Sequence, residues 1–190
     1  MASFVSYEEI AKSYKEKYNL INFVETGTET GNGIVTARQI GINPHNMYSC
    51  DLRAEVLEEA RTRVPEAHLF NTDSLSFLEE NLPKIKGNTL FWLDAHFPAH
   101  YGLEETPNNR APMLDEINLI KQLKSSFEKD VIMCDDLHIF VSSENPTYNH
   151  GLSEYYKIYY AWHLLADSFK STHNFEIYCV YQGLGVFVPK

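Results

Sequence analysis

A chain of 190 residues can bury a self-sufficient core as one domain, without disulfide or metal staples. Its composition, 44% hydrophobic and 22% charged, is that of a globular protein rather than a disordered or fibrous one. The balance of 16 Lys and Arg against 26 Asp and Glu, a net charge of -10, would repel a polyanion and makes nucleic acid a poor expectation as substrate.

Ser6, followed by Glu8 and Glu9, reads as a helix start, and Ile10, Tyr14 and Tyr18 recur on one face of a leading helix within residues 1–19. That helix should pack on a sheet or over a pocket. Leu20, Ile21, Phe23 and Val24 read as a buried strand. It runs through Glu25 into a turn with Gly27, Gly31 and Gly33, and then into a helix from Ile34 to Ile40. Asn46–Cys50 is a second strand ending at Asp51, followed by a helix from Arg53 to Val64 that Pro65 stops. Ala67–Phe70 is a third strand, after which Asp73 or Ser74 can cap a helix through Leu82. Thr89–Leu93 is the clearest strand and stops at Asp94-Ala95-His96.

Residues 97–112, with three prolines and Gly102, have no period and read as a lid loop. Met113–Leu123 is helical, and Val131–Cys134 is a strand ending at Asp135-Asp136-Leu137-His138. A second loop, Ile139–Gly151, precedes a tyrosine-rich helix from Leu152 to about Phe169. The strands Phe175–Tyr181 and Gly185–Val188 close the chain. Strands alternating with helices predict a doubly wound α/β domain over residues 1–190, with a mostly parallel sheet and an antiparallel C-terminal hairpin.

Cys50, Cys134 and Cys179 lie singly in apolar segments, as buried thiols of a reducing compartment do. The N-terminus lacks the apolar core of a signal peptide, and no run approaches the ~18 apolar residues of a membrane span. The expectation is a soluble cytoplasmic protein.

Open α/β sheets bind ligands beyond the carboxyl ends of their strands. There the sequence collects Glu25 and the glycines, then Asp51, Asp73, Asp94 with His96, and finally Asp135, Asp136 and His138. A glycine-rich turn between strand and helix lets a ligand approach the backbone and the helix N-terminus. Asp51, 20 residues past Gly31, stands where an acid bonds ribose hydroxyls, though Asp there could simply cap the next helix.

The run E-T-G-T-x-x-G-N-G after the first strand, the acid ending the second, D-S after the third and the acid ending the fourth resemble a class I S-adenosylmethionine-dependent methyltransferase. The resemblance covers about Ile21 to Pro189. It implies a Rossmann-like seven-stranded sheet in which Glu25, Gly27, Thr28 and Gly31 line the methionine side of S-adenosylmethionine. Asp51 then holds the ribose, Asp73 and Ser74 meet the adenine, and Asp94 closes the cofactor site. Where the family commonly has a glycine, this chain has Glu29.

Asp94, Asp135 and Asp136 at the ends of adjacent strands would suit Mg²⁺ or a similar hard cation, and their placement is similar to metal-dependent O-methyltransferases of the macrocin and catechol types. The alternative is that Asp135 and Asp136 cap turns while Asp94 orients the cofactor. His96, two residues past Asp94 and on its side of an extended chain, is a candidate general base or metal ligand beside a buried-histidine reading. His100 and His150 read as surface residues. Tyr155, Tyr156, Tyr159, Tyr160 and Trp162 read as a core face or dimer surface before a substrate wall, and Arg110 as solvated or as meeting a substrate anion.

The sequence thus predicts methyl transfer to the hydroxyl of a small molecule, with loops or a second subunit completing the acceptor site. A metal-dependent lyase or hydrolase on the same scaffold and a non-catalytic cofactor-binding or assembly subunit are the alternatives.

Overall fold

A computed structural model of the protein describes residues 6–96, 98–106, 112–136, 167, 169–178 and 183–190. The tyrosine-rich run, His138, His150, Arg110 and Cys179 lie outside the described residues, as do part of the first expected loop and all of the second. The leading helix α1 (Tyr7–Lys17) starts on a reciprocal cap: Glu9 N–H donates to Ser6 Oγ at 3.2 Å, and Ser6 N–H donates to Glu9 Oε2 at 2.8 Å. Strands β1 (Asn22–Thr26), β2 (Met47–Asp51), β3 (His68–Asn71), β4 (Thr89–Leu93) and β5 (Val131–Cys134) then alternate with helices α2 (Asn32–Gln39), α3 (Ala54–Arg63), α4 (Ser74–Asn81) and α5 (Met113–Leu123). Strands β6 (His173–Tyr178) and β7 (Leu184–Pro189) follow.

The seven strands lie in the order β3-β2-β1-β4-β5-β7-β6. The first five are mutually parallel, β7 runs antiparallel to β5, and β6 antiparallel to β7. This is the α/β sheet with an antiparallel hairpin that the alternation of elements predicts. Strand order reverses between β1 and β4, and that switch point fixes where a crevice opens.

Alternation along the strands divides the core in two. Phe23, Met47, Leu90, Val131 and Val186 pack with Ile10 and Tyr14 of α1, Ile34 and Ala37 of α2 and Ala60 of α3. Val24, Cys50, Phe91, Ile132, Cys134 and Phe187 pack on the opposite face with Phe77 and Leu78 of α4 and Ile117 and Ile120 of α5. Cys50 and Cys134 are buried free thiols, as their apolar settings suggest.

Strand β1 is displaced from the apolar run that announces it. Ile21 is outside the strand and 44% exposed, whereas Glu25 and Thr26 are inside it, paired with Ser49 and Cys50 on one side and Trp92 and Leu93 on the other. The Asn22 side chain fixes the start by donating to Lys86 O at 2.9 Å. Polar strand residues are tolerated because both neighbouring strands satisfy their backbone.

Candidate functional site

The described residues enclose a cavity of about 850 Å³ at the carboxyl ends of the strands. Gly27, Asp51, Asp73, Ser74, Asp94, His96, Asp135 and Asp136 all line it, so the acids and glycine that the sequence scatters over more than a hundred positions meet in one place. His100, expected at the surface, and Pro98, Tyr101, Leu103 and Thr106 of the predicted lid form another part of its wall.

Gly27 sits at φ +82°, and a Cβ there would lie 2.6 Å from the Asp94 carbonyl oxygen. Only glycine lets β1 and β4 release the chain this close together at the switch point. Glu29, the departure from the family pattern, has φ +45°, a left-handed conformation that a glycine would adopt without strain.

Glu25, Thr28 and Gly31 are outside the cavity lining. Glu25 points into the sheet face beneath the turn, where it is 2% exposed and accepts the Ser49 hydroxyl at 2.6 Å. Thr28 Oγ1 and Ser49 Oγ are 2.6 Å apart. A Cβ on Gly33 would lie 1.7 Å from Glu25 Oε1, so Gly33 is the seat of this carboxyl. Burial, opposed by the Ser49 bond and reinforced by the charges of Asp51 and Glu29, pushes the Glu25 carboxyl up to about 8.

Asp51 is 7% exposed. It accepts four hydrogen bonds: from the backbone N–H of Glu29 and of Arg53, each at 2.9 Å, and from Arg53 Nε at 3.1 Å and Nη2 at 3.2 Å. Arg53, not Asp51, occupies the N-cap position of α3. Asp73 caps α4, accepting the Ser76 N–H at 2.9 Å and the Ser76 hydroxyl at 2.7 Å.

The acids after β4 and β5 share the cavity, but the tightest group of them differs from the expected trio in one member. Asp135 accepts the Tyr7 hydroxyl at 2.8 Å and the Asp136 N–H at 2.8 Å. The group whose potential ligand atoms lie within 4.8 Å of one another is Asp94, His96 and Asp136. His96 Nε2 is 2.9 Å from Asp136 Oδ2 and Nδ1 is 3.6 Å from Asp94 Oδ1, so the imidazole stands between the two carboxylates. Alternation had placed His96 on the side of Asp94; its bond to Asp136 comes from the β4–β5 pairing.

Burial in the cavity wall, then the charges of Asp135 and Asp136, push the Asp94 carboxyl above its usual range, tempered because 38% of the side chain is open to the cavity. Burial also raises Asp135, against the lowering effect of the Tyr7 bond. Tyr7 itself is pushed far up, by burial first and then by the Asp135 charge, so its hydroxyl remains a donor.

Two further residues were not among those singled out from the sequence. Tyr7 lies 128 positions from the acid it holds. Glu116 of α5 is fully buried behind the cavity, with Thr26 and Ser74 as polar company, yet neither of its carboxyl oxygens has a well-formed hydrogen bond among the described residues. Burial pushes it up to about 7.

No family model matches the chain, and no curated protein matches it in sequence. Solved structures do share its fold. A Staphylococcus aureus protein assigned as a caffeoyl-CoA O-methyltransferase superposes with a TM-score of 0.67 at 11% identity, over 96% of this chain and 82% of the other. The O-methyltransferase TomG of Streptomyces achromogenes, involved in tomaymycin synthesis and solved with S-adenosylmethionine, gives 0.63 at 12% identity, over 96% and 79%. A ribosomal protein L11 methylase of Lactobacillus delbrueckii subsp. bulgaricus gives 0.52 at 13% identity, over 96% and 77%. The chain therefore has the fold of class I S-adenosylmethionine-dependent methyltransferases, as its glycine turn and strand-end acids implied.

Proposed function

We propose that this protein is an S-adenosylmethionine-dependent methyltransferase acting on a hydroxyl of a small molecule. The observation that carries the reading is one cavity at the switch point that joins the Gly27 turn, Asp51 after β2, Asp73 and Ser74 after β3, and an acid–imidazole–acid group after β4 and β5. Asp51 bonds the ribose, the start of α4 receives the adenine, and the turn after β1 receives the methionine end. The L11 methylase shows that the fold alone does not choose the acceptor, so a hydroxyl is preferred on the strength of the imidazole.

Methyl transfer to a hydroxyl forms an O–C bond, breaks the S–C bond of the sulfonium and leaves a neutral thioether and one proton. In this reading His96 takes that proton, and Asp136, 2.9 Å from its Nε2, holds the ring and stabilises the imidazolium that forms. Removing water from the cavity keeps the sulfonium for the acceptor, a role suited to the wall formed by Pro98 to Thr106.

The convergence of Asp94, His96 and Asp136 favours a second arrangement in which these three hold a divalent cation. A donor set with an imidazole suits zinc or iron better than the Mg²⁺ expected from carboxylates alone. When bound, such an ion would act as a Lewis acid that lowers the pKa of the acceptor hydroxyl. His96 cannot be ligand and base through the same nitrogen.

Calorimetry with S-adenosylhomocysteine tests the cofactor reading: wild type binds, and Asp51→Ala weakens binding on the order of a hundredfold by removing a buried acceptor of two hydroxyls. No heat at millimolar ligand sinks the proposal. For the cation, Zn²⁺ should raise the melting temperature of wild type but not of His96→Asn, with Mg²⁺ raising neither. An equal response of both proteins to Zn²⁺ removes His96 from the ligand set.

No helix among the described residues is long and apolar enough to cross a membrane.

A further inference from the structure

We infer that Arg53 competes with the cofactor ribose for Asp51, and that Tyr101 carries this competition to the acceptor side of the cavity. The inference rests on the assignment of Asp51 to the ribose. An ionised carboxylate offers about four acceptor directions, and in Asp51 all four are taken. Oδ1 accepts Arg53 N–H at 2.9 Å and Arg53 Nε at 3.1 Å, while Oδ2 accepts Glu29 N–H at 2.9 Å and Arg53 Nη2 at 3.2 Å. Two of these donors are backbone groups fixed by the turn after β1 and by the start of α3. The other two belong to one guanidinium. If Asp51 is to accept two ribose hydroxyls while the turns stay folded, the guanidinium is the group that must leave.

Arg53 is held in this position from its other face. Its Cζ lies 3.9 Å from the centroid of the Tyr101 ring, a cation–π contact, and its side chain is only 14% exposed. Tyr101 ends the short 3₁₀ turn Pro98–Tyr101, which walls the same cavity next to His96. Arg53 therefore ties the ribose acid to the segment that faces the acceptor. A protein that must first release this tie binds ribose less tightly than its intrinsic affinity, by the fraction of molecules already released. Removing the guanidinium should then tighten cofactor binding, the opposite of what loss of a pocket-lining cation ordinarily does.

Met at position 53 keeps the length and apolar stem of the side chain but has no donor. Calorimetry with S-adenosylhomocysteine on the full chain should show Arg53→Met binding roughly tenfold more tightly than wild type, the scale of two charge-assisted bonds partly offset by water. Tyr101→Leu, on an exposed ring in a short turn, should tighten it roughly threefold by loosening the anchor. In an Asp51→Asn background, Arg53→Met should change nothing, because the effect passes through that carboxylate. Unchanged or weaker binding in both Arg53→Met and Tyr101→Leu, with Asp51→Asn clearly weakened, overturns the competition and leaves the ribose assignment standing. Asp51→Asn binding as tightly as wild type overturns that assignment, and the competition with it.

Discussion

Gly27→Ala is expected to abolish measurable S-adenosylhomocysteine binding and to lower the melting temperature by roughly 6–12 °C. Two costs add. A residue with a Cβ at φ +82° is in the left-handed region, at about 1–2 kcal/mol. Its Cβ would also lie 2.6 Å from the carbonyl oxygen of Asp94 and 2.9 Å from its carbonyl carbon. Because those atoms are backbone, held through Asp94 N–H to Thr26 O at 3.0 Å, they cannot rotate away as a side chain would. Overpacking of this kind typically costs about 1–3 kcal/mol. About 3 kcal/mol in a chain of this length corresponds to the stated fall in melting temperature at roughly 2–4 °C per kcal/mol. Relief of the clash must separate the ends of β1 and β4, which form the floor of the cavity, so ligand binding should fail even in the folded fraction. A variant that melts within 2 °C or so of wild type and still binds would show that the two strand ends are not in the close approach described here.

That close approach was partly legible in the sequence. A glycine directly after a buried strand, with acids ending the neighbouring strands, is a pattern that backbone sterics and the geometry of parallel sheets both demand. Thr89–Leu93, Met113–Leu123 and Val131–Cys134 are found as predicted because their patterns have one period each and clear ends. The role of Glu25 was less legible. As the acid nearest the glycines it looks like a ligand for the cofactor, but β1 extends two residues further than its apolar run, and alternation then turns Glu25 to the face covered by α1, α2 and α3, below the turn.

The third acid of the expected metal group was misleading for a different reason. Asp135 and Asp136 are adjacent, but both lie past the end of β5, where a left-handed turn of the backbone parts their side chains. Asp136 adopts φ +50° and meets His96, while Asp135 meets Tyr7. Nothing in local spacing announces a partner 128 residues away, although Tyr7 does lie three residues before Ile10 on the buried stripe of α1. Saturation of Asp51 is likewise a three-dimensional fact: the sequence shows Asp51 and Arg53 two apart, but not that Glu29 N–H takes another of the four acceptor positions.

Glu116 had a readable signal. Met113, Glu116, Ile117 and Ile120 follow the i, i+3, i+4, i+7 spacing of one helix face, so the acid stands in the apolar stripe. Its consequence is a dependence of stability on pH. The carboxyl rises from 4.5 to about 7 on folding, chiefly by burial, so the native state holds a proton that the unfolded chain releases. Stability from this source is complete below about pH 4.5 and is lost as pH rises through 7, by roughly 3 kcal/mol at 1.36 kcal/mol per pH unit. Glu25, raised to about 8, acts in the same direction.

Wild type should therefore melt at a lower temperature at pH 8.5 than at pH 5, with Glu116 alone accounting for roughly 6 °C or more of the fall. Glu116→Gln isolates that share. The amide has nearly the same shape, and whatever its own unmet hydrogen bonds cost is the same at every pH. The slope between pH 5 and pH 8.5, measured by scanning calorimetry, should therefore flatten even if the variant is less stable at pH 5. Parallel curves for wild type and variant would mean that Glu116 ionises as readily in the folded protein as in the unfolded one. A water-accessible path to the back of the cavity would then replace the dry packing of Thr26, Ser74 and Glu116 between β1, α4 and α5.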